Sequence, residues 1–226
     1  MKLGWKGKNK MDAVQKWNNQ LKAQEIVEIL NQHKFDAIYA PTIENAKEIL
    51  RDMLSAGATI AVGGSVTLSS SGILDEIIRD RKYNFIDRYQ AENYEHMLAL
   101  YREGLTSDVF VSSVNAITKN GQLVCLDCTG NRVSSIIFGP KKVIIIAGVN
   151  KICDTLEEGI ARAKKIAPMN ARRISHTEAP CYCDGKCRPE QCTMHERVCN
   201  NIGIVDGCYY EPGRITVIII PEELGY

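Results

Sequence analysis

Polar side chains that could hold an anion gather where apolar runs end, between residues 108 and 151. In an open α/β sheet, ligands bind beyond the carboxyl ends of the strands. Each of these side chains alone is an ordinary turn residue, but together they indicate a binding site. The candidates are Asn115, Asp127, Thr129, Gly130, Asn131, Arg132, Asn150 and Lys151.

Arg132 and Asp127 are the two members of this set with the clearest chemistry. A guanidinium donates two parallel hydrogen bonds to a carboxylate, so Arg132 is the best candidate to hold an organic acid. Asp127 is the candidate general base, although an aspartate at a strand end is more often a turn cap. Arg132 could instead pair with Asp127 and hold its own loop, and the sequence leaves this alternative open.

A second candidate anion site lies at Gly63, Gly64, Ser65 and Thr67, directly after the apolar run 59–62. Glycines allow a backbone to approach a ligand, and the N–H groups at a helix start point toward it. The equally favoured alternative is a tight turn in which Ser65 only caps the following helix. If both segments follow strands, we expect them to face one cleft.

Six of the nine cysteines fall between residues 181 and 208. In a reducing compartment such a cluster indicates metal or redox chemistry rather than disulfides. We expect Cys181, Cys187, Cys192 and Cys199 to share one zinc ion or iron–sulfur cluster. Cys183 is the candidate to replace one of these four ligands, and His176 and His195 are possible substitutes. The spacing matches neither a zinc ribbon nor a ferredoxin, and buried inert thiols are the alternative. Cys125 and Cys128 form a CxxC that we interpret as structural.

The pattern of apolar residues predicts the elements that must position these side chains. Strands expected at 35–40, 59–62, 143–147 and 214–220 alternate with helices, which favours an α/β fold with a largely parallel sheet. Asn120-Gly121 between apolar runs predicts a hairpin with a type I′ turn. Residues 11–33 carry apolar groups on one expected helical face. We predict one domain over residues 1–226, in which residues 169–213 form a cysteine-rich, loop-like segment.

The composition excludes several classes of protein. The 226 residues are 45% hydrophobic with a formal net charge of +1, so nothing suggests a nucleic-acid or membrane surface. The apolar runs are too short for a membrane span. The basic N-terminus is not followed by an apolar segment, which argues against a secretory signal. We therefore expect a cytoplasmic location.

Short motifs spread over nearly the whole chain form a recognisable set: Gly63–Leu68, Asp87–Tyr89, Ser113–Thr118, Thr129–Val133, Gly139–Val143, Gly148–Ile152, Ala167–Asn170, Pro180-Cys181 and Leu224–Tyr226. Through these motifs the chain resembles the LUD-domain family of lactate-utilisation proteins.

The resemblance implies a fold like that of the sugar-phosphate isomerase and coenzyme A transferase superfamily, a three-layer α/β/α sandwich. It also implies a role around L-lactate oxidation, where members accompany iron–sulfur oxidoreductase subunits. The lactate-operon members carry Glu-Thr-Gly where this chain has Lys119-Asn120-Gly121, so a glutamate nucleophile for acyl transfer is absent here.

Two functions follow from these observations. The first is a protein of organic-acid metabolism that binds a small anionic metabolite, a carboxylate or phosphate, at the strand ends. The second is a metal-cluster or electron-transfer partner without turnover of its own, in which the cysteine segment is the working part. A homo-oligomer is also among the expected partners, and nucleic acid and membrane are not.

Overall fold

A six-stranded parallel sheet forms the centre of this computed structural model, which describes residues 7–175, 178–192 and 197–226. Its strand order is β1-β10-β7-β4-β2-β3, so consecutive strands are joined by crossovers. The strands are β1 (Asp36–Tyr39), β2 (Thr59–Val62), β3 (Asn84–Phe85), β4 (Val109–Ser112), β7 (Lys142–Gly148) and β10 (Ile215–Ile220).

Helices occupy most of the connections between these strands. Within the described ranges they are α1 (Gly7–Gln32), α2 (Ile43–Met53), α3 (Val66–Ser70), α4 (Ile73–Arg79), α5 (Tyr94–Gly104), α6 (Asn131–Ile137), α7 (Leu156–Lys165), α8 (Ala167–Arg173) and α9 (Cys181–Asp184). None of them is both long enough and apolar enough to cross a membrane.

Strand β7 lies between β10 and β4 and is buried on both faces, as its β-branched run predicted. Val143, Ile145 and Ala147 face a core that includes residues of α1 and α6. Ile144 and Ile146 face a second core that α2, α3 and α4 close on the other side. The expected three-layer α/β/α arrangement is therefore confirmed.

A second, mixed sheet carries the predicted hairpin. Its order is β8-β5-β6-β9, formed by β5 (Ala116–Thr118), β6 (Leu123–Asp127), β8 (Ile152–Cys153) and β9 (Asn201–Val205). The hairpin joins β5 to β6, but the expected type I′ turn is wrong. Of Asn120 and Gly121, only Gly121 has a positive φ, and its N–H donates to Thr118 O at 2.9 Å. A three-residue connection ending in a left-handed glycine replaces the two-residue turn.

Helix α1 does not present the single apolar face that the sequence predicted. Its C-terminal half buries Ala23, Ile26 and Leu30, whereas Val14, Trp17 and Leu21 remain exposed. At 3.6 residues per turn the two sets point to roughly opposite sides of the helix. The packed face therefore belongs only to the half of α1 that lies against the sheet.

Two further boundaries differ from expectation because of single residues. The apolar pattern after Ser65 predicts one helix that runs to about Arg79, but Gly72, whose φ is +74°, splits it into α3 and α4. The apolar stripe over residues 154–167 predicts a helix that Pro168 stops, but α7 already ends at Lys165 and Pro168 lies in the first turn of α8. Proline is well tolerated there because the N–H it lacks has no helical partner.

Candidate functional site

A cavity of about 410 Å³ opens beyond the carboxyl ends of β2 and β4. It is lined by both segments that the sequence analysis expected to face one cleft. The predicted site residues on its wall are Gly64, Ser65, Thr67, Asn115, Asp127, Thr129, Asn131, Arg132 and Lys151. Side chains from α5 and α8 also line it.

Three predicted residues do not line this cavity. A Cβ at Gly63 would overlap Ser112 Oγ and approach Arg132 Cδ to 3.1 Å, so this glycine permits close packing. Gly130 precedes α6 with φ +83°. Asn150 holds the C-terminal segment: its amide donates to Gly225 O at 3.2 Å, and its oxygen accepts from Leu224 N at 3.1 Å.

The hydroxyl groups of the Gly-Gly-Ser segment are already used by the fold. Ser65 Oγ accepts from Leu68 N at 3.2 Å and caps α3, which matches the capping interpretation. Thr67 is buried, and its Oγ1 donates to Leu224 O at 3.2 Å. These two residues therefore shape the cavity wall, and their hydroxyls are engaged within the protein.

Asp127 and Arg132 form a buried ion pair with an Nε to Oδ1 distance of 3.0 Å. Arg132 also donates to Asn115 Oδ1 at 2.7 Å, Leu126 O at 2.8 Å and Ser113 O at 3.2 Å. The second oxygen of Asp127 accepts from Val133 N at 2.8 Å. Both carboxylate oxygens are thus occupied, and these contacts fit the alternative in which Arg132 holds the loop.

Lys151 lies in the inner wall with 4% of its surface exposed. Its Nζ donates to Val114 O at 3.0 Å and to Ser113 Oγ at 3.1 Å. Burial, followed by the nearby charges of Arg162 and Arg132, lowers the pKa of Lys151 to about 7. Lysines used as bases or nucleophiles are tuned by the same two effects.

Two further cations, Arg88 and Arg173, line the cavity and were not among the predicted site residues. Arg88 stacks on Tyr101, with its guanidinium carbon 4.9 Å from the ring centre. A Cβ on Gly64 would lie 3.3 Å from Arg88 Nη2 and 3.6 Å from Arg173 Nη1, so both guanidinium groups converge on this glycine. Arg88 lies in a motif used for the resemblance, but Arg173 sits on α8 without any local signal.

The positive charges of this cavity are only partly balanced. In the described part of the chain, no carboxylate forms an ion pair with Lys151, Arg88 or Arg173. Burial, together with the charges of Arg88 and Arg132, lowers the pKa of Arg173, although the nearby Tyr226 opposes this. The arrangement is suited to a small anion that supplies the missing negative charge.

The four predicted metal ligands Cys181, Cys187, Cys192 and Cys199 line one small cavity of about 70 Å³. Burial raises the pKa of Cys181, and the other three thiols raise it further, which shows that the four lie near one another. Within residues 7–175, 178–192 and 197–226, no three donors are close enough to hold one metal ion.

Cys183, one of the expected substitutes for these ligands, does not join them. Cys183 lines a different depression, beside Tyr182 and Asp184. His176 and His195 lie outside the described residues.

The CxxC pair does not have the environment of a reactive thiol. Burial raises the pKa of Cys125 to about 11, and it also raises the pKa of Cys128. Both shifts disfavour the thiolate that redox chemistry needs, which fits the structural interpretation.

The anion cavity and the cysteine cavity are neighbours. Val198 lines both of them. Cys128 lines the first cavity, and Cys199 of the second is close enough to raise its pKa. The two candidate sites are therefore separated by a thin wall of protein.

Comparison with known proteins finds a matching family and a similar solved structure. The model of the LUD domain matches residues 23–220. Among solved structures, a DUF162 family protein from Deinococcus radiodurans is similar, with 10% identity and a TM-score of 0.46. The match covers 91% of this chain and 97% of that one. No curated protein matches the chain.

Proposed function

Because the chain belongs to the LUD domain family, we propose that it is a lactate-utilisation-type protein of organic-acid metabolism that binds a small carboxylate or phosphate. One observation carries the proposal: Lys151, Arg88 and Arg173 line a single cavity without a carboxylate partner in the described ranges. An anionic ligand would give a partner to Arg88, which is half-buried, and to Arg173, which is exposed, and Lys151 presents a buried amine to the same cavity.

The size of the cavity supports a small metabolite. Ligand sites usually enclose about 300–1,000 Å³, and this cavity of about 410 Å³ lies in the lower part of that range. Tyr94, Met97 and Tyr101 supply apolar surface on the wall formed by α5. A ligand with one or two acidic groups and a short carbon chain matches both the volume and the mixed lining.

The cations suggest a division of roles. Arg88 and Arg173 present guanidinium groups near Gly64, where two parallel hydrogen bonds can orient a planar carboxylate. Lys151 lines the same cavity but is buried, so its amine would contact a part of the ligand that lies deeper in the protein. Asp127 remains the candidate general base, and each of its oxygens keeps a lone pair beyond the hydrogen bond that it accepts from Arg132 or Val133.

Replacing Arg173 tests the proposal most directly. We expect Arg173→Ala to weaken binding of lactate, pyruvate or phosphate by about 1.5–3 kcal/mol, because a hydrogen bond to a charged group is lost. Isothermal titration calorimetry measures the change. Arg172→Ala is the matched control, because its guanidinium stacks on Tyr182 outside the anion cavity.

Two results would count against an anion site. One is wild-type protein that binds none of the three anions, and the other is equal affinities in Arg173→Ala and Arg172→Ala. A melting curve for each variant separates loss of binding from loss of fold.

A second candidate function, a redox partner, is favoured by the cavity that Cys181, Cys187, Cys192 and Cys199 share. Within the described residues these thiols do not form a site for a single metal ion, and the centre we propose is an iron–sulfur cluster, in which each of four thiolates binds its own iron. Bound there, a cluster would supply one-electron chemistry beside the anion cavity. Iron–sulfur oxidoreductase subunits are then the natural partners. The cytoplasmic location and the homo-oligomer stay predictions.

A further inference from the structure

The side-chain amine of Lys151 is held in a defined orientation at the inner end of the anion cavity. Its two hydrogen bonds, to Ser113 Oγ and Val114 O, come from the segment that links β4 to β5. A neutral amine has two N–H donors and one lone pair. Because both donors are engaged by these oxygens, the lone pair of the nitrogen is available to a ligand in the cavity that Lys151 lines.

The groups around Lys151 favour the neutral amine. Arg162 faces it from α7 and Arg132 from α6, and both are cationic. Cys125 of β6 is the remaining titratable neighbour, and burial keeps it a thiol at neutral pH. Since the amine is also buried, charge repulsion and desolvation act in the same direction, and its pKa falls to about 7.

We propose that Lys151 is a catalytic residue whose amine forms an imine with an anionic carbonyl compound of the 2-oxo acid class. The inference rests on the proposed anion-binding function and deepens it by naming the substrate class. The amine nitrogen attacks the carbonyl carbon, the C=N bond forms, and the carbonyl oxygen leaves as water with the two amine protons. The resulting imine, once protonated, withdraws electrons from the neighbouring carbon.

The cavity supplies what this step needs besides the amine. Arg88 and Arg173 can hold the carboxylate of a 2-oxo acid, which directs its adjacent carbonyl carbon toward the inner wall. Tyr94, Met97 and Tyr101 of α5 line the same cavity and would contact the carbon chain of the bound acid. A surface lysine has neither feature, so the site predicts a reaction that is specific for Lys151.

Reductive trapping tests the proposal on the whole wild-type protein. Glyoxylate is the probe, sodium cyanoborohydride reduces any imine to a stable amine, and peptide mass spectrometry locates the modified lysines. At pH 7.5 we expect Lys151 to be labelled at least about tenfold faster than the exposed Lys165, because a lowered pKa provides more neutral amine. The labelling rate of Lys151 should level off above pH 8.

Two outcomes overturn the proposal: Lys151 stays unlabelled while Lys165 reacts, or its labelling keeps rising up to pH 10. Calorimetry with pyruvate and Arg173→Ala then separates the two ideas. If Arg173-dependent binding persists without labelling, the anion site stands and only the covalent role of Lys151 falls. If pyruvate, lactate and phosphate all fail to bind and Lys151 is not labelled, both proposals fall together.

Discussion

The guanidinium of Arg132 is surrounded by four hydrogen-bond acceptors, which leaves it little freedom to turn toward a ligand. Two of these acceptors are backbone carbonyls, and one is the carboxylate of Asp127. A lysine cannot reproduce these four hydrogen bonds, because its donors all lie on one ammonium nitrogen at the end of a flexible side chain. Arg132 therefore has more influence on the stability of the protein than on ligand affinity.

We expect Arg132→Lys to lower the free energy of unfolding by about 1–3 kcal/mol, since buried acceptors lose their donors. Chemical denaturation measures the loss, and Arg102→Lys on the exposed face of α5 is the control. Unchanged stability combined with weaker pyruvate binding would instead identify Arg132 as the ligand clamp.

Local sequence indicated the strand-end residues of the cavity but missed two of its cations. Thr129, Asn131 and Arg132 stand directly after a strand, where turn composition marks them. Arg88 and Arg173 reach the cavity through long side chains from distant parts of the chain. Which of the many surface arginines does so depends on how helices pack, and packing is a tertiary property that local patterns do not carry.

The cysteine segment is the element with the smallest core of its own. Among its described residues, the buried cluster consists of Ala171, Ala179 and Val198, with Cys181 packed against them. A small apolar cluster contributes little stability, and metal binding commonly compensates in such modules. The proposed cluster would therefore hold this segment together as well as carry electrons.

Serine variants of single cysteines test which thiols act as ligands. In anaerobically purified protein we expect Cys187→Ser to lose most of the bound iron and the visible charge-transfer absorption. Cys183→Ser should keep both, because Cys183 lines a different depression. Equal iron content and equal spectra in the two variants would exclude the assignment, and a colourless protein with bound zinc would exclude the iron–sulfur cluster.

Element types were predictable where periodicity is strong, and boundaries were not. Residues 143–147 form a continuous, mostly β-branched apolar run that predicts a buried strand, and in the structure they lie in the central strand β7. By contrast, Gly72 divides a run that the pattern predicts as one helix, and Pro168, predicted to stop a helix, lies in the first turn of the next one. For α1, the apolar residues were identified correctly, but only the folded sheet determines which half of the helix is covered.

The free energy of unfolding of the whole molecule should depend on whether the amine of Lys151 is protonated. Its pKa in the folded protein is about 7, against an ordinary value of 10.5. Between these values the unfolded chain binds a proton that the folded protein does not, so unfolding becomes harder as the pH rises. Below pH 7 the cost of the buried charge is fully present, and above 10.5 it is absent.

Comparison with Lys151→Met isolates this contribution. We expect the stability of the wild type relative to the variant to increase by about 2 kcal/mol between pH 7 and pH 9, because one unit of pKa shift corresponds to about 1.4 kcal/mol. Urea denaturation at each pH provides the measurement. A difference between the two proteins that stays constant over this range would show that Lys151 keeps an ordinary pKa in the fold.

Val198 lines both cavities, so charges in the two cavities lie close enough to interact through the protein interior. An electron added among the thiols would therefore repel an anion in the other cavity. Thermodynamic reciprocity then requires that the bound anion make the centre harder to reduce by the same free energy. The metabolite and the electron would compete, so release of one would favour arrival of the other.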